Sequence, residues 1–362
     1  MKLCFISPNS FPLFFPSKKN RIIGGSEVQL FLLGNKLSLD LQNEIHFLVG
    51  DFGQKSKMQK GKVTIWKSLY QKSVVASAVL FIIRLFYIRA DVYIHRAVHP
   101  TSGWIALICK LMGKKFIYMV AHDEEVKSGD QYGRRFSTLS IWMVFRFSSL
   151  VLCQNEFQKE KLEKKNITSK IFRNSFPVWG SNYSRKRKYI LWVGRAESWK
   201  NPEMFLELAM EMKKEKFVMI CPPAFTVTNL FSEIREKAKF LKNLIFIPYV
   251  SFEEIDSYFQ EAKIFISTSE SEGYPNTFLH AAIAGTPIVS YKVNPSGMFD
   301  KYEIGEFCNG DVSCLSSSVK KILQSAKVRG KYSKNIFSYA EENHNLEKSV
   351  KIFSEILENL KN

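Results

Sequence analysis

The stretch Ser269-Glu-Ser-Glu-Gly-Tyr-Pro-Asn-Thr-Phe-Leu-His280, which continues as Ala281-Ala-Ile-Ala-Gly-Thr-Pro-Ile-Val-Ser290, is the most informative part of this 362-residue chain. The pattern predicts a loop after an apolar strand, then a short helix opened by Pro275 and Asn276, then a second apolar strand after Gly285. It places Glu272 near a helix N-terminus at the carboxyl side of a parallel sheet, where ligands of open α/β folds bind. Free backbone N–H groups and the helix dipole favour a phosphate at such a place.

Apolar strands and helical periods alternate along the whole chain, which predicts an α/β fold with parallel sheets covered on both faces. Residues 177–188 contain Pro, Gly, Ser and four consecutive basic residues, and they divide the pattern into two series. We therefore expect two Rossmann-like domains, over 1–178 and 186–340, and a terminal helical segment over 341–362. A cleft between two such domains is a preferred place for a small-molecule site.

The positive charge is concentrated in the first half of the chain. Residues 1–180 contain 27 Lys and Arg against 12 Asp and Glu, a balance of +15, whereas the remaining residues contain 25 against 22, a balance of +3. This asymmetry predicts an anionic partner for the first half: a membrane surface, a phosphorylated substrate or nucleic acid. A solvated basic face without a partner is the alternative.

The six cysteines are widely spaced, contain no CxxC pair and lie mostly in apolar runs. This usage predicts reduced thiols in a cytoplasmic protein and argues against a disulfide scaffold or a zinc site.

The N-terminal apolar stretch is too short for a signal peptide. The longest apolar run, Val74–Ile88, falls short of the roughly 20 residues that a membrane-spanning helix needs.

Two further segments carry residue types suited to a phosphorylated ligand. Gly24 and Gly25 open a predicted helix and let the backbone approach a ligand, although a flexible loop explains them equally well. Gly194 and Arg195 follow a buried strand, and Lys200 comes five residues later. Arg binds phosphate in a bidentate manner and Lys acts as a point charge, so this pair suits a nucleotide diphosphate.

His122 follows a predicted strand of the first half, and His95, His99, Asn155 and Asn174 are weaker candidates of the same kind. A polar side chain at the carboxyl end of a parallel strand points to a ligand role, and a simple loop histidine is the alternative.

Together these segments resemble the retaining GT-B glycosyltransferases of family 4, over nearly the whole chain and most closely over residues 189–300. The resemblance implies that Arg195 and Lys200 stabilise the departing diphosphate, that Glu272 orients the donor sugar and that His122 lies near the reacting centre. It also implies that the terminal helix packs back on the first domain. The donor-binding set that it implies is Gly24, Gly25, Gly194, Arg195, Lys200, Gly273, Tyr274, Pro275, Asn276, Thr277 and His280.

His280 departs from the family pattern, which has a second glutamate seven residues after the position of Glu272. That glutamate accepts hydrogen bonds from the ribose hydroxyls, whereas a histidine offers at most one acceptor nitrogen. The loss costs about 1–3 kcal/mol of donor affinity if nothing compensates. A partly buried structural histidine and a donor-binding histidine are equally compatible with the sequence.

The sequence contains no strand-end Asp-x-Asp, no Walker A loop, no Gly-x-Gly-x-x-Gly fingerprint and no compact nucleic-acid motif. We therefore expect no metal, no cofactor apart from a nucleotide-sugar co-substrate, and no nucleic-acid partner. The resemblance implies transfer from a UDP- or GDP-sugar to a lipid-linked or growing glycan, in polysaccharide, lipopolysaccharide or O-antigen assembly. The basic first half adds peripheral contact with the inner face of the cell membrane. A nucleotide-sugar 2-epimerase and a catalytically decayed binding module remain as alternatives.

Overall fold

The computed structural model describes residues 1–16, 23–68, 74–127, 135–178, 187–224 and 229–360. Most of the predicted linker, residues 177–188, lies outside these ranges. The residues fall into two compact units, the first made of Met1–Ser175 with Leu346–Asn362 and the second of Phe176–Asn345. The first unit ends close to the expected residue 178, whereas the second unit begins about ten residues before the expected residue 186.

Strands and helices alternate in both units. The strands are β1 Lys2–Ile6, β2 Glu44–Val49, β3 Lys57–Lys60, β4 Val63–Lys67, β5 Val92–Arg96, β6 Lys115–Met119, β7 Leu150–Cys153, β8 Ser169–Ile171, β9 Tyr189–Val193, β10 Phe217–Ile220, β11 Leu244–Ile247, β12 Ala262–Ser267, β13 Ile288–Ser290 and β14 Gly305–Phe307. The helices are α1 Phe11–Phe14, α2 Gly25–Leu37, α3 Val74–Ile88, α4 Ser102–Leu111, α5 Arg135–Phe147, α6 Glu156–Glu163, α7 Pro202–Glu211, α8 Leu230–Lys239, α9 Ile255–Glu261, α10 Asn276–Ile283, α11 Met298–Tyr302, α12 Val312–Gln324, α13 Ala326–Asn343 and α14 Leu346–Asn359.

The first unit is built on an eight-stranded sheet in the order β3-β4-β2-β1-β5-β6-β7-β8. All its pairs are parallel except the β3–β4 pair, which is antiparallel. Alternate residues of β1 face opposite cores, because Leu3 and Phe5 pack with α2 and α14, whereas Cys4 and Ile6 pack with α3, α4, α5 and α6. The C-terminal helix α14 thus belongs to the first unit.

The second unit has a six-stranded parallel sheet in the order β11-β10-β9-β12-β13-β14. Its core joins Ile190 and Trp192 of β9 with Phe205 of α7 and with Leu315 and Val319 of α12. The expected α/β fold with two Rossmann-like units is confirmed. The sequence reading missed α1, α6, α11, α12 and α13 and the short strands β3, β8 and β14. Most of these elements are short or have a weak apolar period.

The expectation that the cysteines are reduced thiols was wrong for one pair. A disulfide joins Cys308 and Cys314 in the second unit, although these residues are only six positions apart. The other four cysteines are free and buried, as their apolar surroundings predicted. No helix in the described ranges has the length and apolar character needed to cross a bilayer.

Gly305 begins β14 at a position where a side chain has no room. Its φ is 159°, and an added Cβ would overlap the backbone carbonyl oxygen of Ile288 on β13. We expect Gly305→Ala to lower the free energy of unfolding of the second unit by roughly 1–3 kcal/mol, the usual cost of over-packing. Urea unfolding with hydrogen-exchange mass spectrometry of β13 and β14 measures the loss.

Gly330→Ala is the matched control in the same unit. Gly330 lies in α13 with nothing within 4 Å of an added Cβ. This change should raise stability by about 0.5–1 kcal/mol, because glycine weakens a helix interior. Shifts of the same sign for both variants would contradict the steric account of Gly305.

Candidate active site

The loops after β9 and β12 lie side by side at the carboxyl edge of the second sheet, since these two parallel strands are neighbours. The strand order reverses between them, because β10 and β11 lie on one side and β13 and β14 on the other. Open α/β sheets bind their ligands at this switch point. All the site residues predicted from the second half of the chain follow one of these two strands.

Hydrogen bonds join the two loops. Trp192 Nε1 donates to Thr268 Oγ1 at 2.9 Å, and the same hydroxyl donates to the Lys200 carbonyl oxygen at 2.5 Å. Asn201 Nδ2 donates to the Thr268 carbonyl oxygen at 3.2 Å and to Glu270 Oε1 at 3.0 Å. Asn201 has a φ of 45°, a left-handed conformation that Asn tolerates better than most residues. The backbone of Lys200 is therefore fixed against the loop that contains Glu272.

Lys200 and Glu272, predicted from two separate motifs, form an ion pair. Lys200 Nζ lies 2.5 Å from Glu272 Oε1, and Ser269 Oγ donates to the same oxygen at 3.3 Å. Both charged side chains are largely buried, and Lys200 Nζ also lies 4.3 Å from the centroid of the Trp199 ring. A cation and a carboxylate thus share one small polar site at the switch point.

Gly194 and Arg195 flank this pair. A Cβ on Gly194 would lie 2.9 Å from the Trp192 ring and 3.0 Å from Lys200 Cδ, so glycine leaves room for the lysine stem. The Arg195 side chain is partly buried, with Nε 3.5 Å from Glu197 Oε1. The two cations expected from the sequence therefore lie on the same loop, each beside a carboxylate.

Residues 273–277 form the turn into α10. Pro275 is the N-cap residue and Asn276 the first residue of the helix, as the sequence predicts. Gly273 is buried and Thr277 is partly buried. The Tyr274 side chain is directed into the core, where its hydroxyl lies 2.9 Å from that of Tyr339. The expected ligand contact of Tyr274 is through its backbone N–H, and it stays a prediction.

His280 lies in an aromatic cage on α10. It is 6% exposed, its Nδ1 is 2.6 Å from Asp256 Oδ1, and its ring stacks on Phe259 with centroids 5.3 Å apart. Phe176 and Phe252 contact the ring from other sides. These are the contacts of a structural histidine, and the predicted part of His280 in donor binding stays a prediction.

His122 lies in the first unit and is exposed at the start of a short 3-10 turn, Asp123–Glu125. Its backbone N–H donates to Glu125 Oε1 at 3.2 Å, and the Tyr118 hydroxyl donates to Glu125 Oε2 at 2.6 Å. Burial raises the pKa of the Glu125 carboxyl, and the hydrogen bond from Tyr118 opposes that rise. The buried carboxylate holds the backbone of His122 in place.

Gly24 is the N-cap of α2 and Gly25 its first residue, as predicted. The first turn contains Glu27, whose Oε1 accepts from Asn9 Nδ2 at 3.2 Å. The helix dipole stabilises the Glu27 carboxylate at this end of the helix. A diphosphate bound at the same end would be repelled by that negative charge. The expected diphosphate contact of Gly24 and Gly25 stays a prediction.

Arg96 is a buried cation that sequence reasoning missed. It ends β5, beside β1 at the point where the strand order of the first sheet reverses, and its Nη2 donates to Asn174 Oδ1 at 2.6 Å. Burial lowers the pKa of Arg96 to about 10, an effect opposed by Glu125, Tyr118 and Glu27. An arginine at the end of a fully buried strand, directly after His95, was the available signal. Asn174, a weaker sequence candidate, holds this arginine.

The comparisons with known proteins concern a family model and the fold. The family model Glycosyl transferases group 1 matches residues 179–339, which lie within the second unit and make up less than half of the chain. Sucrose-phosphate synthase from Thermosynechococcus elongatus superposes with a TM-score of 0.80 at 13% identity, covering 99% of each chain. The chain has the GT-B fold. No curated protein sequence matches it.

Two other GT-B structures are similar over the full length. HepE from Anabaena in complex with UDP-glucose gives a TM-score of 0.75 at 14% identity and covers 99% of this chain and 100% of its own. Trehalose-6-phosphate synthase gives 0.72 at 12% identity, covering 100% of this chain and 99% of its own. At these identities the likeness concerns the GT-B fold alone.

The aromatic cage around His280 allows a test of whether the glutamate of the family pattern fits at this position. We expect His280→Glu to lower the stability of the second unit by about 2 kcal/mol or more, because the carboxylate would enter aromatic surroundings beside Asp256. Adding Asp256→Asn should recover part of the loss by removing the neighbouring negative charge. Thermal and urea unfolding measure both variants, and a His280→Glu protein as stable as the parent would contradict the structural role.

Proposed function

We propose that this chain is a metal-independent, retaining glycosyltransferase of family 4. In this proposal it transfers a sugar from a UDP- or GDP-sugar to a lipid-linked or growing glycan, in cell-surface polysaccharide, lipopolysaccharide or O-antigen assembly. It acts in the cytoplasm at the inner face of the membrane. The observation that carries the proposal is the Lys200–Glu272 pair at the switch point of the second sheet, beside Arg195 and the N-terminus of α10.

The donor diphosphate suits this group of residues. Arg195 and Lys200 supply positive charge, and the first backbone N–H groups of α10 supply hydrogen-bond donors and the positive end of a helix dipole. Charge that develops on the leaving diphosphate is stabilised most by such preorganised groups in a site with little water. Glu272, which now pairs with Lys200, becomes available to sugar hydroxyls once phosphate oxygens take up the lysine.

The first unit holds the acceptor, and His122 contacts the transferred sugar. Three carboxyl groups follow His122 directly in the chain, and each has a partner. Glu125 is buried and bonded to Tyr118, while Asp123 Oδ1 accepts from Asn155 and Gln158 at 3.1 and 2.7 Å. Glu124 Oε1 pairs with Lys127 Nζ at 2.5 Å. None resembles an unpartnered nucleophile, which favours a same-face transfer assisted by the leaving phosphate over a glycosyl-enzyme intermediate.

Nucleotide binding is the first test. A nucleotide at about 100 times its dissociation constant adds roughly 2.7 kcal/mol to the free energy of unfolding. This should raise the melting temperature by several degrees, at about 2–4 °C per kcal/mol for a chain of this size. We expect one of UDP, GDP or ADP to produce the shift, and an excess of EDTA should leave it unchanged. A shift that EDTA abolishes would overturn metal independence.

Lys200→Met tests the chemistry, since it removes the charge and keeps a stem beside Gly194 and Trp199. With the donor that the melting screen selects, release of nucleoside diphosphate should fall about 10²–10³-fold in kcat/KM, the usual loss for one donor to a developing anion. Lys188→Met, which breaks an exposed ion pair with Glu261 in the same unit, is the control and should stay within twofold. Equal activities of a folded Lys200→Met protein and the control would sink the assigned role.

A decayed donor site is the second candidate, and the observation that favours it is the aromatic cage of His280 in place of a ribose-binding glutamate. A folded protein whose melting temperature does not respond to any of the three nucleotides would support this candidate. A shift without turnover of UDP-glucose or GDP-mannose would point to a nucleotide-binding module.

A further inference from the structure

Helices α3, α4 and α5 form a layer on one face of the first sheet. Leu85 and Ile88 of α3, Ile105 and Cys109 of α4 and Val144 of α5 belong to one core cluster with the residues of β1 that face the same side. On the opposite sides of these helices, large side chains are exposed and not covered by the other described residues of the first unit. We call this outward surface the α3–α5 face.

The α3–α5 face is rich in exposed apolar side chains. Nine of the seventeen exposed large hydrophobic side chains in the described ranges belong to these three helices, although they make up only 38 residues. They include Ile83, Phe86 and Tyr87 of α3, Trp104 and Leu111 of α4, and Trp142 of α5. Concentrations of this kind mark interaction sites, whereas scattered single residues do not.

The three helices of this face contain cations and no acidic residue. The sequences of α3, α4 and α5 contain Arg84, Lys110, Arg135 and Arg146 but neither Asp nor Glu. Lys110 and Arg146 are exposed, and Lys110 Nζ lies 5.3 Å from the centroid of the Phe147 ring. Helix α6, which covers the same side of the sheet beyond α5, has three glutamates and limits the face.

We infer that the α3–α5 face docks on an anionic membrane surface, with Trp104 and Trp142 inserted at the headgroup level. The inference rests on the membrane contact in the proposed function and not on the transferase chemistry. Tryptophan and tyrosine prefer the interface between headgroups and acyl chains, and each Lys or Arg near an anionic surface adds attraction. Helix α3 has 15 residues and would extend only about 22 Å, so it lies along the interface and does not span it.

Charge favours a membrane over a second copy of the chain. A two-fold interface places the same surface on both subunits. The cations of the α3–α5 face would then meet like charges with no carboxylate of the three helices to pair with them. An anionic bilayer supplies both the opposite charge and an apolar phase.

Flotation of the full chain with vesicles tests the inference. We expect binding at low salt to vesicles of phosphatidylcholine with 30% phosphatidylglycerol, and at least tenfold weaker partition to pure phosphatidylcholine. Trp104→Ser with Trp142→Ser should reduce partition to the anionic vesicles at least tenfold. The control Leu41→Ser with Phe240→Ser removes two apolar side chains outside the face that are more exposed than the tryptophans, and it should bind like the parent.

The contribution of positive charge to membrane binding is tested with a variant and a matched control. Lys110→Glu with Arg146→Glu should also weaken partition at least tenfold, whereas Lys213→Glu with Lys214→Glu, a reversal of the same size on exposed residues of the second unit, should not. Brominated phosphatidylcholine in the anionic vesicles should quench tryptophan fluorescence of the parent. That quenching should be lost in Trp104→Phe with Trp142→Phe.

Three results would overturn the inference. They are failure of the parent to float with anionic vesicles, equal losses in face and control variants, and quenching that survives removal of both tryptophans. Nucleotide-induced melting shifts, measured on the same variants, separate this inference from the proposed function. A protein that does not float but keeps its nucleotide-induced melting shift contradicts only the inference about the α3–α5 face. A protein that floats but shows no melting shift contradicts only the proposed donor site.

Discussion

The parallel pairing of β9 with β12 is the constraint on which the candidate site depends. It aligns two strands that are about seventy residues apart in sequence and brings their following loops to one edge of the sheet. The bonds from Trp192 to Thr268 and from Thr268 to the Lys200 carbonyl then fix those loops in register. Because these hydrogen bonds already hold the two loops together, Lys200 and Glu272 are placed side by side by the backbone and not only by their mutual attraction.

The two units meet the cost of buried charge in different ways. In the second, Lys200 and Glu272 neutralise each other at short range and keep some contact with solvent. In the first, Arg96 and Glu125 are almost fully buried and rely on Asn174 and Tyr118 for hydrogen bonds. Buried charges without such partners are strongly destabilising, so these groups fix the ends of β5 and β6. The first group is therefore almost fully buried, whereas the second keeps part of its charge accessible to solvent.

Local patterns predicted those elements whose burial follows a clear period. The apolar run Val74–Ile88 forms α3 with the same bounds, and the buried strand predicted before Gly194 is β9, because both segments are almost wholly apolar. Helices α12 and α13 were missed because their many polar residues, mostly Ser and Lys, weaken the helical period. The bond between Cys308 and Cys314 was missed because proximity in sequence does not report the turn that brings two thiols together. The pairing of His280 with Asp256 depends on the packing of α9 against α10, which neither helix shows alone.

The sequence by itself determined the α/β class, the two-unit organisation and the motifs around Arg195, Lys200 and Glu272, since residue type and spacing are local properties. Only the tertiary structure decided that Lys200 and Glu272 form one ion pair and that His280 lies in an aromatic cage. It also decided that the apolar sides of α3, α4 and α5 share one surface. Those outcomes depend on strand order and on which helices cover which face of a sheet, and both are set by contacts between residues far apart in the chain.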